Sequence, residues 1–155
     1  VMRKFGRGVA HGGTYTAHSV SLAAAEKCLA ILDETDALER IAAYGNSLMQ
    51  GMTRVLSARS IPHSFVGHPS MLGLYFDAKP PRNYRTWKSS DYAFYDAMAQ
   101  VLHDEGVLCE PDSREPWFIS AAHDDSCLAD TLKGFEIAVD ATLEARASGK
   151  LDPHG

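Results

Sequence analysis

A chain of 155 residues with 45% hydrophobic and 23% charged side chains has the length and composition of about one globular domain with a buried core. The net charge of −5 argues against nucleic acid as the main partner, and no apolar run approaches the roughly 20 residues that a membrane-spanning helix needs. The three cysteines are far apart, without a disulfide or zinc pattern, and the histidines have no partners at ligand spacing. We therefore expect a cytoplasmic protein with no membrane partner and no metal.

The first informative stretch is the loop Gly12–Ser19, which holds two glycines, two threonines and a serine. It runs into an alanine-rich apolar segment that predicts a helix from Val20 to Leu32, capped by Ser19 or Thr16. Cys28 lies inside this helix and is expected to be buried and inert. A loop of small and hydroxylated residues before a helix is also a cradle for phosphate or carboxylate. These residues alone do not distinguish an ordinary capped helix N-terminus from an anion-binding site.

The remaining elements follow from apolar periodicity and from the breaks between periodic segments. Alternation places Leu72, Leu74 and Phe76 on one face of a strand. These patterns predict an α+β fold, with two leading helices and a small, mainly antiparallel sheet covered by helices on one side. The expected elements are a helix over 36–58, strands over 64–67 and 71–76, a loop over 79–84, a helix over 92–104, strands over 107–109 and 117–121, and a helix over 126–147.

Several short motifs occur in a fixed order along the chain. They are Gly13-Thr14 before the alanine-rich helix, Ser70–Phe76, Arg82–Tyr84, Ser90-Asp91, Gly106-Val107, Glu115 and Phe118–His123. In this order they resemble class III (fold type I) pyridoxal-phosphate aminotransferases, and among these the glutamate-1-semialdehyde 2,1-aminomutases. The resemblance extends to about Leu143. It implies that residues 35–147 are the small C-terminal domain of such an enzyme, residues 1–34 the end of the large cofactor-binding domain, and residues 148–155 a tail.

The resemblance also implies a cofactor, a partner and site residues. The cofactor is pyridoxal 5'-phosphate (PLP), whose phosphate is bound by Gly13 and Thr14 across the subunit boundary of a homodimer. Glu115 lies near a small amine or amino-acid substrate. Arg114 stands where the family more often has an aromatic or apolar residue. It either grips a substrate carboxylate or forms a surface ion pair with an acid, and both alternatives stay open.

Two departures from the family pattern separate two functional hypotheses. Ala17-His18-Ser19 follows the threonine loop where the family often has small-Asn-Pro, and the Schiff-base lysine that the family needs has no match in this chain. The first hypothesis is the C-terminal part of an enzyme that moves an amino group between an amine and a carbonyl compound, inactive by itself and with no catalytic residue of its own. The alternative is a non-catalytic dimerisation or binding module with the same fold.

Overall fold

The computed structural model describes residues 12–151, which divide into two compact units between Ala37 and Leu38. The first unit contains helix α1 (Ser19–Glu34), and none of the residues of this helix is buried. Cys28 is exposed, so the prediction that it is buried is wrong. The physical reason is that the described part of this unit offers α1 no second element on which to pack its apolar side chains.

The N-cap of α1 is His18, and the prediction of Ser19 or Thr16 is wrong. The backbone of His18 is extended, and its Nδ1 accepts a hydrogen bond from Ser21 N at 3.3 Å and lies 2.8 Å from Ser21 Oγ. The imidazole reaches the third N–H of the helix, which is where an N-cap acceptor is needed. Ser19 is consequently the first residue of the helix itself.

The second unit is an α+β arrangement, as predicted. Its sheet has three antiparallel strands, and the second along the chain lies between the other two. Phe65 pairs with Leu74, and Leu72 with Trp117. Within residues 12–151, every helix is too short or too polar to span a bilayer. The elements are α2 (Ala37–Ala58), β1 (Ser64–Val66), β2 (Met71–Tyr75), α3 (Tyr84–Trp87), α4 (Tyr92–Asp104), β3 (Trp117–Phe118) and α5 (Asp125–Ala147).

The core forms where one face of β2 meets the apolar stripes of three helices. Leu72, Leu74 and Phe76 are buried, in agreement with the predicted alternation, and the ring of Phe76 packs edge-on against Phe94 at 4.6 Å. The helices contribute residues at three- and four-residue spacing, which is the pattern of a buried helical face. These residues are Leu48, Met52 and Leu56 from α2, Phe94, Met98 and Leu102 from α4, and Phe135 and Val139 from α5.

Two predicted strands differ from the structure. Residues 107–109 form no strand, and the strand predicted over 117–121 is limited to Trp117–Phe118. Side chains bind the carbonyl groups that a neighbouring strand would otherwise use: His103 Nε2 donates to the carbonyl oxygen of Cys109 at 2.6 Å, and the Tyr95 hydroxyl donates to that of Glu110 at 2.9 Å. The segment after Gly106 therefore becomes a loop, tied to α4 by side chains.

Helix α5 provides a pH-dependent test of the fold. Its N-cap Asp124 accepts hydrogen bonds from Cys127 N (2.9 Å) and Ser126 Oγ (2.7 Å), and these donors lower the pKa of Asp124 to about 2. Because the folded pKa lies below the ordinary value of 3.8, the stabilisation is complete above that value and is lost as the pH falls through about 2. We expect the difference in free energy of unfolding between wild type and Asp124→Ala to be constant from neutral pH to about pH 4, and to shrink below it.

Urea unfolding at a series of pH values measures this difference. Asp125→Ala is the matched control, because Asp125 is the neighbouring carboxylate but is the first residue of the helix and not its cap. A gap between wild type and Asp124→Ala that persists unchanged at pH 2 would show that the ionised cap is not the source of the stability.

Candidate functional site

Gly13 and Thr14 lie on a tight turn directly before α1. Thr16 N donates to the carbonyl oxygen of Gly13 at 3.0 Å, and Ala17 has a positive φ of 59°. A Cβ atom on Gly13 would lie only 3.1 Å from Thr16 Oγ1, so the turn is compact at this point. Thr14 itself is exposed. The turn therefore offers an exposed hydroxyl directly after a glycine, which fits the donor that a phosphate group requires.

Arg114 and Glu115 lie together in the loop 110–116, between α4 and β3. Arg114 donates from Nε to both carboxylate oxygens of Asp112 at 2.9 Å, and its NH2 group also contacts Asp112. The Arg114 guanidinium lowers the pKa of Asp112, so this carboxylate stays ionised at neutral pH. Glu115 is exposed, and its backbone N donates to the carbonyl oxygen of Asp112 at 3.0 Å. Of the two alternatives for Arg114, the structure contains the ion pair.

Trp87 on α3 is the residue of this site that the sequence interpretation did not identify. Its Nε1 donates to Ser113 Oγ at 2.8 Å, and the guanidinium carbon of Arg114 lies 5.1 Å from the centre of its ring. The other contacts of the ring are to Tyr84 at 5.3 Å and Tyr92 at 5.1 Å. Asn83 initiates α3 through a capping box with Thr86, where the sequence predicted only a loop up to residue 84. This cap begins the short helix from which Trp87 contacts the loop 110–116.

A groove of about 410 Å³ borders the same loop at Glu110, Pro111 and Pro116. Its lining includes Tyr44, His103, Cys109, Trp117 and His123. Burial raises the pKa of the Cys109 thiol to about 11, so this thiol is protonated at neutral pH and is a poor nucleophile. Among residues 12–151, no cluster of histidine, cysteine and carboxylate side chains has the arrangement of a metal site.

The predicted site residues are thus found in two places. Gly13 and Thr14 belong to the first unit and Arg114 and Glu115 to the second, and the assignments of phosphate and substrate to them remain predictions. The pairing of Arg114 with Asp112 could have been predicted from the sequence, because an aspartate side chain often accepts a hydrogen bond from the residue two positions later. The contact of Trp87 with Arg114 could not be predicted, since Trp87 lies 27 positions earlier in the sequence.

Comparison with known proteins gives a consistent group of relatives. No protein-family model matches the chain. It is 33% identical over 130 residues to the glutamate-1-semialdehyde 2,1-aminomutase of Methanothermobacter thermautotrophicus, covering 83% of this chain and 30% of that protein. It is 35% identical over 92 residues to the enzyme of the same name from Bacillus subtilis, covering 59% of this chain and 21% of that protein. The chain thus spans less than a third of the length of these relatives.

Solved structures with the same fold include a PLP-bound protein. The FumI protein of Sphingopyxis sp. MTA144, in its PLP internal aldimine form, superposes with a TM-score of 0.79 at 27% identity, over 98% of this chain and 33% of that one. An omega-transaminase from Sphaerobacter thermophilus matches with a TM-score of 0.69 at 20% identity, over 87% of this chain and 31% of that one. The α+β fold of this chain is therefore that of a partial segment of such proteins.

Proposed function

We propose that this chain, which is homologous over most of its length to a partial segment of PLP-dependent aminotransferases and aminomutases, is the C-terminal part of such an enzyme. The complete enzyme would move an amino group between an amine and a carbonyl compound. The observation that carries the proposal is the agreement between sequence and fold, with 33% identity over 130 residues to an aminomutase and a TM-score of 0.79 to a PLP-bound protein.

Each candidate residue has a defined part in this proposal. PLP, when bound, supplies an aldehyde for the amino group and a ring that withdraws electrons from the reacting carbon. The exposed hydroxyl of Thr14 donates to the cofactor phosphate, and the lack of a side chain on Gly13 lets that phosphate approach the backbone. The carboxylate of Glu115 contacts the substrate at the loop 110–116. The Schiff-base lysine would come from outside this chain, which by itself would be inactive.

The proposal includes a homodimer in which Thr14 binds the phosphate of the neighbouring subunit. The direct experiment is to express the complete reading frame that contains this chain and to record its spectrum with PLP. We expect an absorbance band at roughly 400–430 nm that disappears when the lysine is replaced. A folded, dimeric product with no such band would contradict the enzyme proposal and favour a non-catalytic dimerisation or binding module.

Substitutions at Thr14 test the phosphate assignment. Thr14→Val keeps the volume of the side chain and removes the hydroxyl, so we expect the Kd for PLP to rise roughly tenfold, the equivalent of one hydrogen bond to a charged group. Thr14→Ser restores a hydroxyl and should restore most of the affinity. PLP titration of the complete enzyme, followed by absorbance, measures both values.

Thr16→Val is the matched control for this experiment, because Thr16 lies on the same exposed turn and loses the same hydroxyl. Equal losses of PLP affinity in Thr14→Val and Thr16→Val would indicate a disturbed turn and not a lost phosphate ligand. No loss in either variant would remove Thr14 from the cofactor site.

A further inference from the structure

The loop 110–116 is fixed in shape by one carboxylate. Asp112 Oδ1 accepts hydrogen bonds from both the backbone N and the side-chain Nε of Arg114, each at 2.9 Å. The carbonyl oxygen of the same aspartate accepts from Glu115 N at 3.0 Å. These bonds close a turn around Asp112 and set the direction in which the backbone leaves the loop at Glu115.

Trp87 anchors this turn to the body of the second unit. Ser113, which is only 2% exposed, accepts the indole N–H of Trp87 at 2.8 Å. The Arg114 guanidinium lies over the same ring, with its carbon 5.1 Å from the ring centre, and the ring is itself stacked on Tyr92. The guanidinium is therefore held between a carboxylate at its edge and an aromatic ring at its face.

A substrate carboxylate would have to displace Asp112 to form a paired contact with the Nε–NH2 edge of this guanidinium. Asp112 is ionised, is only two residues away and accepts hydrogen bonds from Arg114 with both carboxylate oxygens. A tethered group of this kind acts at an effective concentration of the order of millimolar or above. The loop also carries three acidic side chains, Glu110, Asp112 and Glu115, against the single base Arg114, and the carboxylate of Asp96 on α4 lies close to Asp112. This field attracts an ammonium group and repels a second carboxylate.

We propose that Arg114 is a positioning residue, held by Asp112 and Trp87 to present Glu115, and that the amine taken by this site carries no carboxylate at the end that meets the loop. The inference rests on the proposed function and narrows its substrate class to amines that are uncharged or cationic at that end. In the alternative role given by the sequence, the guanidinium of Arg114 would itself bind a carboxylate of the substrate.

The activity test uses the complete PLP-loaded enzyme and two amines of equal length, pentylamine and 5-aminopentanoate, which differ by one terminal carboxylate. Wild type should prefer pentylamine in kcat/KM. Arg114→Ala should lower kcat/KM for both amines. Because it also leaves the charge of Asp112 unpaired at a solvent-screened position, kcat/KM for 5-aminopentanoate should fall further than that for pentylamine, but by no more than about threefold. Asp112→Ala frees the guanidinium, so the ratio of kcat/KM for 5-aminopentanoate to kcat/KM for pentylamine should rise roughly tenfold. The double variant Asp112→Ala with Arg114→Ala should lose this gain. A loss of kcat/KM in Arg114→Ala that is about tenfold or more larger for 5-aminopentanoate than for pentylamine would show that the guanidinium binds the carboxylate, and would overturn the inference.

A second measurement needs no activity and uses the 155-residue chain. In ¹⁵N NMR spectra, the Arg114 Nε–H signal should be protected from exchange with water and should not shift when glutarate is added to about 10 mM. The same signal in Asp112→Ala should shift with glutarate. Trp87→Phe keeps a ring under the guanidinium but loses the bond to Ser113, so it should retain more of the protection than Trp87→Leu does. The Nε–H of Arg85, an exposed arginine on α3, is the internal control for fast exchange.

The two measurements separate the failure of the inference from that of the proposed function. If neither amine reacts but Arg114 Nε–H is protected and insensitive to glutarate, the proposed function fails for these substrates while the positioning role stands. If glutarate shifts Arg114 Nε–H in the wild-type chain, the guanidinium is available to carboxylates and the inference is wrong, whatever the enzyme does.

Discussion

Replacing Gly45 with alanine is expected to lower the free energy of unfolding by about 2–3 kcal/mol, although alanine is the better helix former by roughly 1 kcal/mol. A Cβ atom at Gly45 would lie 2.0 Å from the carbonyl oxygen of Pro69 and 2.6 Å from its carbonyl carbon. Both are backbone atoms, so no rotamer change relieves the overlap. Either α2 or the turn before β2 must move, and β2 forms the centre of the sheet.

Two other positions on α2 calibrate this effect. A Cβ atom at Gly51 would meet the side chain of Leu132 at 2.4 Å, and because a side chain can rotate, Gly51→Ala should cost less than Gly45→Ala. Asn46→Ala, at an exposed position next to Gly45, should be neutral or slightly stabilising. Urea or thermal unfolding of the three variants gives the order. A Gly45→Ala protein as stable as the Asn46→Ala protein would show that α2 does not pack this closely on Pro69.

The fold could be predicted where the backbone period imposes a pattern on the side chains. The stripe Leu48, Met52 and Leu56 and the alternating Leu72 and Leu74 lie in the core because a helix and a strand each return their side chains to one face at a fixed interval. Residues 107–109 were misassigned because a short apolar run gives no information about the partner of its carbonyl groups. Side chains of α4 bind the carbonyl groups of Cys109 and of the next residue, Glu110, and this depends on tertiary packing that periodicity does not encode.

In the candidate site, too, contacts between residues close in sequence could be predicted, and contacts that depend on tertiary packing could not. The sequence indicated Arg114 as a site residue, with a surface ion pair as one of its two possible roles. In the structure, the partner is Asp112, only two residues away. The position of the guanidinium over Trp87 could not be predicted, because it requires α3 and the loop 110–116 to meet in space. His18 shows a related limit. It caps α1 where serine or threonine was expected, since any side-chain acceptor that reaches the third N–H can serve.

The second large effect is expected at Tyr95, where Tyr95→Phe should lower the free energy of unfolding by about 2–3 kcal/mol. The hydroxyl is buried between two partners: it accepts the indole N–H of Trp117 at 2.8 Å and donates to the carbonyl oxygen of Glu110 at 2.9 Å. Phenylalanine fills the same space but leaves a buried donor and an acceptor without their bonds, and unmade bonds of this kind cost more than a made bond contributes. Denaturant unfolding measures the loss.

Tyr92→Phe is the matched control, because Tyr92 lies three residues earlier on α4 and its ring stacks on Trp87, a contact that phenylalanine retains. It should change the stability by less than about 0.5 kcal/mol. Tyr95 also holds the first residue of the loop 110–116, so Tyr95→Phe should increase water exchange at Arg114 Nε–H, whereas Tyr92→Phe should not. If Tyr95→Phe destabilises the protein but leaves that exchange unchanged, the loop is fixed by Asp112 and Trp87 alone and its attachment to α4 contributes only to the core.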